Sequence, residues 1–409
     1  MTTATRLHRP VSPWIFGVTN IPFGVSGGFT AAAMPYLLRQ AGVGVQEITQ
    51  IAALALMPAA WQFLWAPVID TGPKRKIWLV IVSFLGALCT SAALLVPLPT
   101  SLGLFKALVV AGAALTGLVG SCNGGLMATS LDIKVRGKAA GWSNAANLGG
   151  SALGGGAVMS LLVHISTTAA AIGLFFATFL PALAALRIDE PERDHPPLGV
   201  LLREMGRETW RTLRARNGWT GVLFCLSPVG TAAMLNLFSG VAQDYRASDD
   251  AVAWINGYWG GLVTAIGALA SGALLDRFDR RRAYLLAGAL TALCALAMSF
   301  GPLNPTTYTV GALAYLLVSG LCYAAFSAVV LDIVGDAGRT AATQYTLFSA
   351  AGNQAIAYVM LIDGVGYSIG GPRGMLRADA LANVLGVGVL LLLLRFVLAR
   401  RSPPSAPSA

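Results

Sequence analysis

Charge is what this chain lacks most. Only 11% of its 409 residues are Asp, Glu, Lys or Arg, where a soluble domain carries about a quarter. Apolar residues make up 56%, and they fall in too many long runs to close into one water-soluble core. Histidines number three, at 8, 164 and 195. They lie in an N-terminal tail, at a helix end and in a polar linker, so none can act as base to a nucleophile and no pair has metal-ligand spacing. The five cysteines, Cys89, Cys122, Cys225, Cys294 and Cys322, all sit inside hydrophobic runs without Cys-x-x-Cys spacing, and read as small packing residues. Walker and dinucleotide-binding glycine motifs are absent. Gly24-Val-Ser26-Gly-Gly28 has the letters of a nucleophile elbow, but that motif needs a strand-to-helix turn and a base. No enzymatic activity, cofactor or metal is expected.

What is present is length of apolar chain. Most of the hydrophobic runs exceed the ~18 residues that mark a membrane-spanning helix, and twelve are read: 14–38, 47–70, 77–97, 101–132, 136–163, 167–187, 217–243, 250–275, 282–302, 306–333, 340–363 and 378–399. The expected fold class is an all-α membrane protein of twelve transmembrane helices. Basic loops stay on the cytoplasmic side. With the N-terminus inside, Arg39, Lys106, Arg246, Arg373 and Arg377 are the only five of the 28 lysines and arginines left outside. Both termini are therefore expected in the cytoplasm, the protein in the cell inner membrane, and the first hydrophobic run an uncleaved helix rather than a signal peptide. The net charge of +10 sits in short loops at helix ends, where it meets lipid headgroups, so nucleic acid is not an expected partner. A polar stretch between the halves carries Leu201, Leu202, Met205, Trp210 and Leu213 among arginines, the pattern of an amphipathic helix on the inner surface. The expected domains are an N-terminal half 1–187, this linker 188–216, a C-terminal half 217–401 and a disordered tail 402–409.

The halves repeat one another. Asp70-Thr-Gly-Pro-Lys74-Arg75-Lys76 ends the second hydrophobic run, and Asp276-Arg277-Phe-Asp-Arg280-Arg281-Arg282 ends the eighth. A second pair follows each copy: Leu131-Asp132-Ile133 and Leu331-Asp332-Ile333. An aspartate at the inner end of a helix can bond a nearby arginine and face the positive N-terminus of a neighbouring helix. Asp70, Lys74, Arg75, Asp132, Asp276, Arg277, Arg280, Arg281 and Asp332 are accordingly read as a cytoplasmic gate. Helix 5 also carries Gly137-x-x-x-Gly141 and Gly150-x-x-x-Gly154, a spacing that lets helices approach closely.

Two parallel six-helix halves with this loop resemble the major facilitator superfamily, which implies halves that rock about a midplane site. Asn20-Ile-Pro22-Phe-Gly24, Gln62-Phe-Leu-Trp65-Ala-Pro67-Val-Ile-Asp70 and Ala342-Thr343-Gln344-Tyr345-Thr-Leu-Phe-Ser349 are similar to the AmpG-type permeases, grouped with acetyl-coenzyme A transporters and siderophore permeases. That resemblance implies proton-driven uptake of muropeptides or iron-siderophores. Where the AmpG-type pattern has a Gln-Asp pair and a further acid in helix 4, this chain has Cys122, Asn123 and Met127. No acid lies near mid-membrane in these spans; Asp363 is the remaining candidate for a coupling acid, and protons stand as a candidate coupling ion.

Amides and aromatics remain to build a site. Asn20, Gln62, Asn123, Asn147, Asn236, Tyr323, Asn353 and Tyr358 are the candidate solute-binding residues, on the expectation that helices 1, 4, 7 and 10 line the cavity with help from 2, 5, 8 and 11. Such a lining without a midplane arginine suits a neutral or amphipathic organic solute, not acetyl-coenzyme A with its phosphates, and the expected function is secondary transport, as uptake, of a medium-sized organic solute such as a siderophore or a peptide-sugar fragment. Expected partners are that small-molecule solute and the lipid bilayer, with the protein a monomer. Two other readings stay open: a sensor or assembly factor that kept the fold and lost transport, and an efflux pump for drug-like molecules.

Overall fold

The computed structural model describes residues 11–65, 68–69, 72–131, 133–190, 198–277, 279–334 and 341–398, and every regular element among them is helical. This follows from the composition: inside lipid each backbone N–H and C=O must find a partner within the protein, which a helix provides segment by segment. Helix α1 covers Ile15–Gln40, α2 Val45–Trp65, α3 Arg75–Leu94 and α4 Leu102–Ser130. Helix α5 starts as Ile133–Ala152, passes a π turn at Leu153–Ala157 and ends as Val158–His164. Helix α6 covers Thr167–Arg187. In the second half α7 starts as Arg216–Cys225, breaks, and resumes in short turns from Ala233–Asn236 to Ala242–Tyr245. Helix α8 combines Asp249–Val252, a π turn at Ala253–Trp259 and Gly260–Arg277. Helices α9 and α10 are Arg280–Phe300 and Pro305–Val334. One continuous stretch, Ala341–Leu398, holds α11 and α12, separated by a bend at Gly370 and Gly371. Gly371 has φ +59° there, a left-handed conformation that glycine adopts without strain. Among the described residues eight stretches are long and apolar enough to cross a membrane, the last of them containing both α11 and α12.

The repeat seen in the sequence is a repeat of structure. Helices α3 and α9 both begin inside their basic clusters, with Lys74 and Asp279 as extended residues before the first turn. The linker forms a helix over Leu198–Arg214, with the Arg214 guanidinium 4.7 Å above the ring of Trp210. The tail lies outside the described residues.

Among the described residues, the buried cluster that joins the halves lies at the end away from the basic loops. A single buried cluster combines Phe29, Met34 and Ile48 of the first half with Met234, Phe238 and Met360 of the second, while toward the basic loops each half keeps its own cluster. Between the halves α5 meets α8 where their π turns cross. A Cβ built on Gly257 would sit 2.3 Å from the Cα of Gly156, so only glycine permits this approach. On the other side α2 meets α11, where a Cβ on Gly364 would lie 2.0 Å from Thr49 Oγ1. Hydrogen bonds that join the two halves at this far end, opposite the basic loops, include Arg39 to Asp244, Gln40 to Asp249 and the pair Ser160 and Tyr258.

Candidate functional site

The far end is latched by polar groups that the sequence reading did not place together. Arg39 at the end of α1 donates to Asp244 Oδ1 of α7 at 3.1 Å, and Tyr367 of α11 donates to Asp244 Oδ2 at 2.9 Å. Gln40 donates to Asp249 at 3.3 Å, and His164 Nε2 lies 3.1 Å from Asp250. Arg39 and Asp244 are about one-fifth exposed, so their attraction is less screened than that of a surface pair.

The break in α7 carries the only deviation from helical backbone in the middle of a described span of the second half, and its cause is local. Leu226-Ser-Pro228-Val-Gly230-Thr-Ala232 sets a proline, which has no N–H and crowds the preceding turn, two residues before a glycine. Gly230 takes φ +59° and Ala232 φ +54°. The second is a left-handed alanine, a strain of about 1–2 kcal/mol. Neighbouring side chains satisfy the freed backbone groups: Tyr358 of α11 donates to Leu226 O at 2.7 Å, Tyr284 of α9 donates to Val229 O, and Gly230 N donates to Asn383 Oδ1 of α12 at 2.8 Å. Non-helical backbone persists at membrane depth when protein buries it in this way.

The unwound segment forms one wall of a cavity of ≈ 200 Å³. From α7 come Cys225, Ser227 and Val229–Thr231; α9 gives Tyr284; α10 gives Tyr323, Phe326 and Ser327; α11 gives Ser349, Gly352, Asn353, Ala355 and Ile356. None of these side chains is charged. The Thr231 hydroxyl is buried and has no hydrogen-bond partner, which leaves it available to a solute. Discontinuous helices with exposed backbone dipoles are a recurrent way to build transporter sites.

Two of the eight residues singled out from the sequence, Tyr323 and Asn353, line this cavity. Tyr358 lies beside it, its hydroxyl spent on Leu226 O. In the first half three of the amides bond neighbouring helices. Asn123 Nδ2 donates to Phe16 O at 2.9 Å and to Ser143 Oγ at 3.1 Å, while its Oδ1 accepts from Thr19 at 2.7 Å. Asn20 donates to Ser143 O at 3.1 Å, and Gln62 donates to Gly117 O and Ser121 Oγ, each at 2.7 Å. Asn147 on α5 and Asn236 on α7 are half-buried and do not line the cavity. The residues sequence reasoning missed, Ser227 and Thr231, were signalled by the Pro-x-Gly inside an apolar run.

Of the residues read as a gate, Asp70 and Asp132 lie outside the described residues, and Asp276, Arg277 and Asp332 are placed only as backbone positions at the basic ends of α8 and α10. Around Lys74 and Arg75 an acid does face a helix N-terminus, and it is Glu190. Its carboxylate, 3% exposed, accepts from the backbone N–H of Arg75 at 3.0 Å and of Lys76 at 3.1 Å, where the α3 dipole favours negative charge. Arg75 Nη1 donates to Gly125 O of α4 at 3.2 Å. Arg280 and Arg281 open α9.

Comparison with known proteins bears on this architecture. The sequence model of the Major Facilitator Superfamily matches residues 220–409. No curated protein matches the chain in sequence. The solved structure of the nucleoside transporter NupG is similar over 93% of this chain and 98% of its own, with TM-score 0.69 and 13% identity. A D-xylose-proton symporter is similar over 92% and 96%, with TM-score 0.69 and 13% identity. A bacterial homologue of the human lysosomal transporter Spinster, in an inward-facing and occupied conformation, covers 96% and 98%, with TM-score 0.66 and 16% identity. At these identities the likeness concerns fold: the chain is an all-α membrane protein of two six-helix repeats with the major facilitator fold.

Proposed function

We propose that the protein is a secondary transporter that moves a small neutral organic solute across the cell inner membrane by alternating access. The observation that carries this reading is the uncharged cavity against the broken α7, in a fold whose halves are latched by described residues at the end away from the basic loops. Such a molecule can rock: the latch at Arg39 and Asp244 opens as contacts form between the basic ends. The concentration of arginines and lysines supports placing the basic end, with both termini, in the cytoplasm. The conformation is then the one closed to the outside.

Hydroxyls from Ser227, Thr231, Ser327 and Ser349, the Asn353 amide and the Tyr323 ring offer hydrogen bonds and an aromatic face to a solute. Phosphorylated solutes would need a cation that this lining lacks. A volume of ≈ 200 Å³ is below the ~300–1,000 Å³ of drug-sized sites. It takes a small solute, such as a sugar or nucleoside, or one end of a larger one such as a muropeptide or siderophore. Uptake is the direction favoured by the AmpG-like sequence segments.

The test is counterflow in proteoliposomes loaded with unlabelled solute, over a panel of labelled monosaccharides, nucleosides, dipeptides, muropeptides and siderophores. Accumulation of one uncharged class, lost on Asn353→Ala with Tyr323→Ala, is the expected result. Exchange of no compound by a correctly folded protein would sink the transport reading.

A further inference from the structure

The second half buries two acids that the cavity does not use. Asp363 on α11 and Asp379 on α12 are both 0% exposed. They lie seven and eight residues from the bend at Gly370 and Gly371, hence about 10–12 Å along their helices from the far end at 1.5 Å per residue. That is roughly a third of the way through a ~30 Å hydrocarbon core. The sequence spans had set both near the outer surface.

Their surroundings are unusual. Asp379 Oδ2 accepts from the Tyr315 hydroxyl of α10 at 3.1 Å, while Asp379 Oδ1 and both oxygens of Asp363 have no donor. The acids lie within electrostatic reach of each other, and the titratable groups facing them are Tyr315 and Cys322 of α10. From α7, Phe238 packs on the Tyr315 ring, and α2 reaches α11 one residue on, at Thr49 against Gly364. None of the ion pairs among the described residues involves either acid. A buried carboxylate without a counter-charge is strongly unfavourable, so acids kept at such depth need a cation for part of a working cycle.

We propose that Asp363 and Asp379, with Tyr315, form the proton-coupling site, and that Asn383 ties it to the solute cavity. The inference rests on the transport reading above. Asn383 stands one turn from Asp379, donating Nδ2 to Asp379 O at 3.0 Å while its Oδ1 holds Gly230 N of the broken α7. One amide thus spans the acid's turn and the cavity wall. Gly364, beside Asp363, is where the second half touches α2 of the first. Separation of the halves at the far end exposes Asp363 to outside water, where it takes up a proton; closure returns it to the dry interior. A metal cation wants a shell of several oxygens, and the donors here are the two carboxyl groups and one phenol. A proton needs one.

The test needs no solute, so it is decided independently of the transport reading. Infrared difference spectra of the lipid-reconstituted protein between about pH 5 and about pH 9, a range that brackets carboxyl and histidine titration, are expected to show a carboxylic-acid carbonyl band that is lost in D363N and in D379N. A band unchanged in both variants overturns the proposal, as does a band abolished by sodium ions at constant pH, which would make the site a metal-cation site. In the unaltered protein, dicyclohexylcarbodiimide is expected to modify Asp363 or Asp379, mapped by peptide mass spectrometry; modification of neither also overturns it. Absence of counterflow with the band present would remove the transport reading and leave a proton site.

Discussion

Pro22-Phe-Gly24 in α1 and Pro228-Val-Gly230 in α7 stand at corresponding places in the two halves, with opposite outcomes. The first runs on as helix from Ile21 to Gly28, whereas the second unwinds. The neighbours decide which. A Cβ on Gly24 would lie 2.2 Å from Asn147 O, and one on Gly154 would lie 1.9 Å from Val25 O, so α1 and α5 pack backbone to backbone. In the second half Tyr284 and Tyr358 bond the carbonyls of the break and hold α7 off, and the space left is the cavity. In the N-terminal half Asn123 and Gln62 fix helices to one another. The C-terminal half keeps an unbonded hydroxyl at Thr231 and two buried acids.

Four variants sharpen or break that contrast. Gly154→Leu has the largest expected effect, because its side chain would enter the α1 backbone; no folded protein should elute on size-exclusion chromatography, and a folded, active variant would refute the clamp. Tyr323→Ala with Asn353→Ala should lower counterflow about tenfold or more, equivalent to about 1.4 kcal/mol of binding, while thermal unfolding shifts little. Asn123→Ala should do the reverse. Loss of its bonds to Phe16, Ser143 and Thr19 costs about 1–3 kcal/mol, read as a lower unfolding temperature at unchanged KM for the transported solute. Arg39→Ala removes a partly exposed ion pair that contributes about 1 kcal/mol or less. It should speed maleimide labelling of a cysteine placed on the far-end interface by up to about fivefold.

The halves, the basic loops and the helix order were legible in the sequence because they depend on apolar length and on the sign of loop charge, which act residue by residue. The glycine pair Gly150-x-x-x-Gly154 was legible too as a packing surface, and it meets α1 as that spacing implies. Of the candidate cavity's lining, Tyr323 and Asn353 were legible in the sequence as candidates. An amide in an apolar run reads the same whether it binds a solute or a neighbouring backbone; Asn123 does the second and Asn353 lines the cavity, and only the identity of the facing helix separates them. The break escaped for a related reason. Pro-x-Gly occurs in both halves, and which copy unwinds depends on Tyr284, Tyr358 and Asn383, residues far away in sequence. The latch between Arg39 and Asp244 needed the halves to be docked before it could be seen.

The division of labour between the halves is tested most directly by solute protection. Thr231→Cys on the cavity wall and Asn147→Cys on α5, each in a background without the native cysteines, are labelled with a maleimide with and without the solute identified by counterflow. The account expects the solute to slow labelling at position 231 and leave position 147 unchanged. Protection at 147 alone would place the solute against the N-terminal half and contradict it.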